Sequence, residues 1–362
     1  MSPYRVGLIG CGRIGSEFED RFPPGPSSIA GAFARVPECR LVAGCNRGEE
    51  RRRRFGERWG VSALYTDFRE MLAREALDIV AVATPPWGHR DQVVTAAEAG
   101  VKGIFCEKPL ALRLGECDDM IAACRGSGTV LLVNCTRRWG GEFEAIRREA
   151  QAGRWGDLLH MVGFCQGCKP LPEWEAEHEG PMLHDAVHLY DLMRFFGGDV
   201  QWVQGSAERR RRTDLRVEDT SLATLQFASG VQGVAVVDEL TEYSRFDLEL
   251  HFQRGLVKVA GELSAQKAVP LTGTTETWWC ELAPDELPEP TWPEPGILKA
   301  AQDLVQCIEI AAAPRCTVED GRAAIEVIMA LYESERRGRE RVAMPFGDSR
   351  RMLEVLREEG LY

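Results

Sequence analysis

The sequence has no run of about eighteen apolar residues, which excludes a membrane-spanning helix. It also lacks a signal-peptide core, because Met-Ser-Pro-Tyr-Arg leads straight into a strand pattern; a cytoplasmic protein is expected. Positive charge is in deficit: Lys plus Arg number 44 against 56 for Asp plus Glu, a net charge of −12, which argues against nucleic-acid or anionic-membrane partners. The basic runs Arg51–Arg54 and Arg209–Arg212 are short, flanked by acids, and read as solvated faces. No cysteine framework exists either, since the 12 cysteines are scattered, as suits reduced thiols. Cys165-Gln-Gly-Cys168 has redox or zinc spacing, but no second pair completes a site and chance accounts for the spacing. No internal repeat is evident.

What is present is organised by Tyr4–Gly15, where an apolar strand runs into Gly10-Cys-Gly12-Arg13-Ile14-Gly15. Gly10 permits the tight turn, Gly12 leaves bare backbone for a pyrophosphate, and Gly15 lets the next helix pack close. At 362 residues the chain exceeds a usual single core, and two domains are expected, 1–135 and 136–362. In the first, Pro23–Ser28 interrupts the crossover helix, which resumes at Ile29, and Arg40–Cys45 is the second strand. Asn46 and Arg47 follow, where an acid would favour NAD; an amide and a guanidinium instead suit a 2′-phosphate, so NADP is favoured over NAD. The alternative is that Arg47 stacks on adenine while Asn46 bonds ribose. Helices Glu49–Trp59, Phe68–Arg74 (capped by Asp67), Gln92–Ala99 and Leu114–Cys124 alternate with strands Asp78–Thr84, Gly103–Cys106 and Thr129–Asn134. The class is α/β, an N-terminal Rossmann domain with a doubly wound parallel sheet and ligands at the carboxyl ends of its strands.

Beyond Asn134 the pattern changes. Helix Glu142–Ala152 and strand Leu158–Phe164 precede a loop, Lys169–Gly180, and a helix that begins at His184-Asp185-Ala-Val-His188-Leu-Tyr-Asp191. Strand-like runs cover Ser221–Phe227, Val231–Val237, Phe246–Phe252 and Val257–Ala260, and helices Gly296–Ala311 and Val318–Arg337 close the chain. This predicts a C-terminal α+β domain with a mostly antiparallel open sheet.

Gly10–Gly15, Ala83-Thr84-Pro85-Pro86-x-x-His89, Cys106-Glu107-Lys108-Pro109-Leu110 and Asn134-x-x-Arg137-Arg138 together resemble the Gfo/Idh/MocA oxidoreductases, and the similarity runs over nearly the whole chain. The resemblance implies hydride transfer between NADP or NAD and a secondary alcohol or ketone of a sugar, inositol or related polyol. It also implies a homodimer or homotetramer built through the C-terminal sheet. Lys108 would sit beside nicotinamide and substrate, where its ammonium can bond the reacting oxygen. His188 is the second catalytic candidate. The family usually carries Asp four residues before it; here His184 stands there, with Asp185 beside it, rotated away on an α-helix. Thr84, Pro85, His89 and Glu107 would contact the cofactor, as would Arg13 and Ile14 in the glycine turn. Asn134, Arg137, Arg138, Asp185 and Trp174 are candidates for the substrate, and Trp139 reads equally well as a sugar platform or as core.

A zinc reading of His184-Asp-x-x-His188 fails because Asp185 is shorter than the Glu a zincin needs, so no metal is expected; a structural histidine pair is the plainer alternative. Two other functions stay open: a glycoside hydrolase using bound nicotinamide for transient oxidation, and a non-catalytic dinucleotide-binding regulator.

Overall fold

The computed structural model describes residues 2–21, 25–167, 178–212, 215–273, 275–276 and 278–362. The chain forms two units, Met1–Gly140 with Pro293–Ala323 and Gly141–Trp292 with Ala324–Tyr362. The first boundary falls after residue 140 rather than 135, and the chain returns to the first unit at 293 and leaves it again after 323, two crossings more than two consecutive domains require. The return has a packing cause. A parallel sheet needs cover on both faces, and helix Gly296–Ile310 supplies it, with Ile308 so close to Gly103 that a Cβ there would lie 2.5 Å from its Cδ1.

The first unit holds a parallel six-stranded sheet, ordered β3-β2-β1-β4-β5-β6. Its strands are β1 Tyr4–Ile9, β2 Cys39–Cys45, β3 Ala63–Tyr65, β4 Ile79–Val82, β5 Gly103–Cys106 and β6 Val130–Val133. Every residue of β4 and β5 is buried, as their unbroken apolar runs require. Three-residue β3 is an addition to the expected set, being too short to show a periodicity. Strand order reverses between β1 and β4, and the crevice outside their carboxyl ends is where this fold takes ligands. The helix break after the glycine turn is observed: a short 3-10 turn at Glu17–Asp20 precedes helix Ile29–Ala34, which Ser28 caps through its hydroxyl on the Gly31 N–H at 3.0 Å.

The second unit is built on a nine-stranded sheet, ordered β14-β13-β12-β11-β7-β10-β9-β8-β15. The strands are β7 Leu158–Gln166, β8 Val200–Glu208, β9 Thr220–Phe227, β10 Gln232–Asp238, β11 Arg245–Phe252, β12 Gly255–Lys258, β13 Ser264–Pro270, β14 Cys280–Asp285 and β15 Val342–Ala343. All neighbours are antiparallel except β7 and β10. Burial alternates along β9: Ser221, Ala223, Leu225 and Phe227 are buried, and Leu222 is exposed. Helix Val187–Gly197 covers the buried face, with Leu189 against Gly163 of β7.

The two arginine runs do more than face water. Arg53 and Arg54 do pair with Glu50 and Glu57 on the surface, but Arg52 turns inward to the carbonyls of Asn46 and Arg47. In the other run, backbone N–H groups of Arg210, Arg211 and Arg212 donate at 2.7–2.9 Å to the fully buried Asp219 carboxylate, so that run is a turn wrapped on an acid. The eleven described cysteines are unbridged, Cys165 among them; Cys168 and Trp174 lie outside the described residues. No described helix is long and apolar enough to cross a membrane.

Candidate functional site

At the glycine turn, Gly10 has φ +97°, and a Cβ there would lie 2.4 Å from the Ala83 carbonyl oxygen. A Cβ on Gly15 would lie 2.0 Å from the Gly10 oxygen, so both positions exclude any side chain. Gly12 differs. Its nearest neighbour in that direction is the Arg51 guanidinium at 3.5 Å, so the backbone there is bare and has a cation beside it, the surroundings a pyrophosphate requires. Arg13 is exposed beside the Phe18 ring, and Ile14 is half-buried.

Asn46 is committed to the turn itself: its Oδ1 accepts from Cys11 N–H at 3.2 Å and its Nδ2 donates to the Gly48 carbonyl. Arg47 is exposed, and Arg51 pairs with Glu17 at 3.4 Å. The acid-free end of β2 is therefore flanked by arginines, of which Arg51 and Arg52 were not among the expected site residues. Both sit in a run of four consecutive arginines, of which Arg51, Arg53 and Arg54 are exposed, so no periodic signal separates them.

Beyond β4, the Thr84 hydroxyl donates to Gln92 Oε1 at 2.6 Å and Pro85 is half-buried. His89 is fully buried, its Nε2 2.7 Å from the Thr84 carbonyl and its Nδ1 3.2 Å from the Leu110 carbonyl. The ring thus braces two strand ends. After β5, Glu107 is buried and Lys108, half-exposed, precedes a cis proline peptide. Burial raises the Glu107 carboxyl above its usual range, against the opposing pull of the Asn134 amide, which donates to Oε1, and of the Lys108 charge. Asn134 is itself buried, and its Oδ1 has no hydrogen-bond partner among the described residues. Arg138 is buried, donating to the Arg315 carbonyl and pairing with Asp320 at 3.2 Å, and Trp139 is core, its Nε1 bonded to Asp303. Arg137 is the half-exposed arginine of the pair.

In the second unit the expected plain α-helical start is instead a π-helical turn, Met182–Ala186, leading into helix Val187–Gly197. Such turns recur at functional sites because the wider spiral re-aims side chains. From Pro181 to Asp191 the positions that are not buried are His184, Asp185 and His188. The π-turn brings Asp185 into the open set that α-geometry would have rotated away. His184 lies between two carboxylates, Glu179 Oε2 at 3.5 Å from Nδ1 and Asp185 Oδ1 at 3.8 Å from Nε2.

Two acids here carried no sequence signal. Glu179 is 2% exposed, and Glu218 is fully buried beneath the π-turn, accepting from Met182 N–H at 3.2 Å and from the Tyr332 hydroxyl at 2.8 Å. Burial pushes the Glu218 carboxyl from its usual 4.5 to about 7, and the two hydrogen bonds act against that rise.

Residues 4–135 match the profile of the oxidoreductase family with an NAD-binding Rossmann fold, and residues 143–258 match the Gfo/Idh/MocA C-terminal domain. Among curated proteins, the chain is 29% identical over 351 residues to D-apiose dehydrogenase of Paraburkholderia graminis, covering 93% of this chain and 88% of that one. It is 29% identical over 239 residues to myo-inositol 2-dehydrogenase of Thermotoga maritima, covering 64% and 67%. The fold matches, with TM-score 0.78 at 20% identity, an Agrobacterium radiobacter oxidoreductase solved with NAD+, L-tartaric acid and magnesium, covering 94% of this chain and 98% of that one. The chain belongs to the Gfo/Idh/MocA family of oxidoreductases.

Proposed function

We propose that this Gfo/Idh/MocA oxidoreductase oxidises a secondary alcohol of a sugar, inositol or related polyol, and reduces the matching ketone, with NADP favoured over NAD. The observation that carries the reading is the composition of the open face in the buried Pro181–Asp191 segment: two imidazoles and a carboxylate. A nicotinamide, when bound, supplies the hydride acceptor. The glycine turn, Arg51 and the turn after β2 would hold its pyrophosphate and adenosine end, with Thr84, Pro85 and Glu107 further along; His89 would act through the backbone it braces.

Within this reading the Lys108 ammonium hydrogen-bonds the reacting oxygen as it becomes a carbonyl. His188 takes the hydroxyl proton, and His184 exchanges that proton with it or with water. Asn134, Arg137 and Asp185 bond substrate hydroxyls, while the buried ion pair of Arg138 makes it a support for them. Arg47 and Arg51, with no acid at the end of β2, support the NADP preference. The uncovered face of the nine-stranded sheet, where Leu222 and Val234 are exposed on neighbouring strands, would pair copies into a homodimer or homotetramer, in the cytoplasm. Light scattering on Leu222→Lys tests that: unchanged mass refutes it.

A screen of D-apiose, myo-inositol and other polyols with each cofactor, read by nicotinamide absorbance, tests the activity. Turnover that His188→Ala nearly abolishes is expected. Bound dinucleotide with no absorbance change for any polyol would instead support a regulator.

A further inference from the structure

We infer that Glu179 is the positioning acid of the histidine face: it holds His184 through Nδ1 and so leaves Nε2, on the side of the half-buried Asp185, as the proton-accepting nitrogen. The inference rests on the reading above that His184 takes part in acid–base chemistry. Its observations are geometric. The Glu179 carboxylate is 2% exposed, and a charge that deep is tolerated only against a partner. His184 Nδ1 lies 3.5 Å from its Oε2, and the imidazole side chain is itself only 12% exposed.

The placement of Glu179 is enforced by its neighbours. Gly180 packs so tightly on Glu218 that a Cβ there would lie 2.1 Å from the carboxyl carbon, and Met182 N–H is tied to the same carboxyl at 3.2 Å. Backbone on the C-terminal side of Glu179 is therefore pinned to one buried group, itself held by the Tyr332 hydroxyl. Asp185 faces Nε2 at 3.8 Å and is 27% exposed, so its charge is shared with water. His188 follows four residues on.

A carboxylate on Nδ1 does two things to an imidazole. It selects the tautomer with the proton on Nδ1, which leaves the Nε2 lone pair on the side of Asp185, and it favours the protonated ring. Of the two carboxylates, the buried one acts through the lower dielectric and dominates.

The test is the titration of His184 in the full chain without added cofactor or substrate, followed by NMR of its imidazole and assigned by the signal lost in His184→Asn. Glu179→Gln keeps shape and removes charge, and it should lower the His184 midpoint by about one pH unit or more, a tenfold change in proton affinity. Glu179→Asp keeps charge at a longer reach and should give a smaller drop, a graded response that loss of packing alone does not produce. The pH dependence of diethyl pyrocarbonate modification of His184, which requires the neutral ring, should move with it. A midpoint that is the same in Glu179→Gln and the parent overturns the pairing. Because that readout needs no turnover, it is separate from the reading beneath it, which fails instead if His184→Asn retains the parent's pH–rate profile with myo-inositol or another accepted polyol.

Discussion

Replacing Glu218 with glutamine should make the second unit more stable in alkaline than in acid solution relative to the parent. The carboxyl is fully buried and titrates at about 7 rather than its usual 4.5. Between those two values the folded chain holds a proton that the unfolded chain has released, so stability falls as pH rises through this window. The contribution is fully present below pH about 4.5 and lost above about 7; a shift of some 2.5 units is worth about 3 kcal/mol. Glutamine cannot ionise and can keep both contacts: its oxygen accepts from Met182 N–H, and its amide donates to the Tyr332 hydroxyl oxygen. Tyr332 is held well above its usual range by burial and by Glu218, so its hydroxyl stays protonated throughout. The variant should therefore gain about 3 kcal/mol over the parent at pH 8 and less than about 1 kcal/mol at pH 5. Urea unfolding of the second unit, measured at half-unit intervals from pH 5 to 8, reads this difference. A constant cost of altered packing moves the whole curve without tilting it. A variant-to-parent difference that is the same at pH 5 and pH 8 would refute the assignment of a near-neutral acid beneath the π-turn.

Lys108→Ala should lower kcat by about a hundredfold while dinucleotide affinity, measured by fluorescence titration, changes little, as expected for a group that acts on the reacting oxygen. Arg47→Asp should weaken NADP by about tenfold or more relative to NAD, the loss of one charge-assisted bond, in paired binding titrations; tighter NAD than NADP in the parent would show that the arginines at the end of β2 serve another purpose. Gly15→Ala forces a Cβ to within 2.0 Å of the Gly10 oxygen and should abolish dinucleotide binding or unfold the turn, whereas Gly12→Ala meets only the Arg51 side chain and should spare stability while weakening binding. Arg138→Ala removes the ion pair to Asp320, which keeps its hydrogen bonds from Thr317 and is a quarter exposed, and should cost about 1–3 kcal/mol in thermal or urea unfolding, while Arg137→Ala should leave stability unchanged and raise KM.

Several features of this molecule are local enough for the sequence to determine alone. The unbroken apolar runs at Ile79–Val82 and Gly103–Cys106, Gly15 against the Gly10 carbonyl and Asp67 as a cap each work within a few residues. Their outcome, a parallel sheet with a ligand-binding turn and a mostly antiparallel second sheet, follows from periodicity and turn chemistry. The tertiary structure decided what depends on partners far along the chain. Strand β3 is too short for a pattern and exists because β2 offers it an edge; residues 293–323 join the first unit because β5 needed cover. Nothing local separates Arg51 and Arg52 from Arg53 and Arg54 in one basic run, and only folding brings Gly12 beside Arg51 and the Asn46 carbonyl beside Arg52. Glu218 lies 36 residues from Met182 and 114 from Tyr332, distances at which no spacing rule operates. Its burial there, with Glu179 against His184, sets the charges around the histidine face, and such low-dielectric pairings come into being only when the chain closes over them.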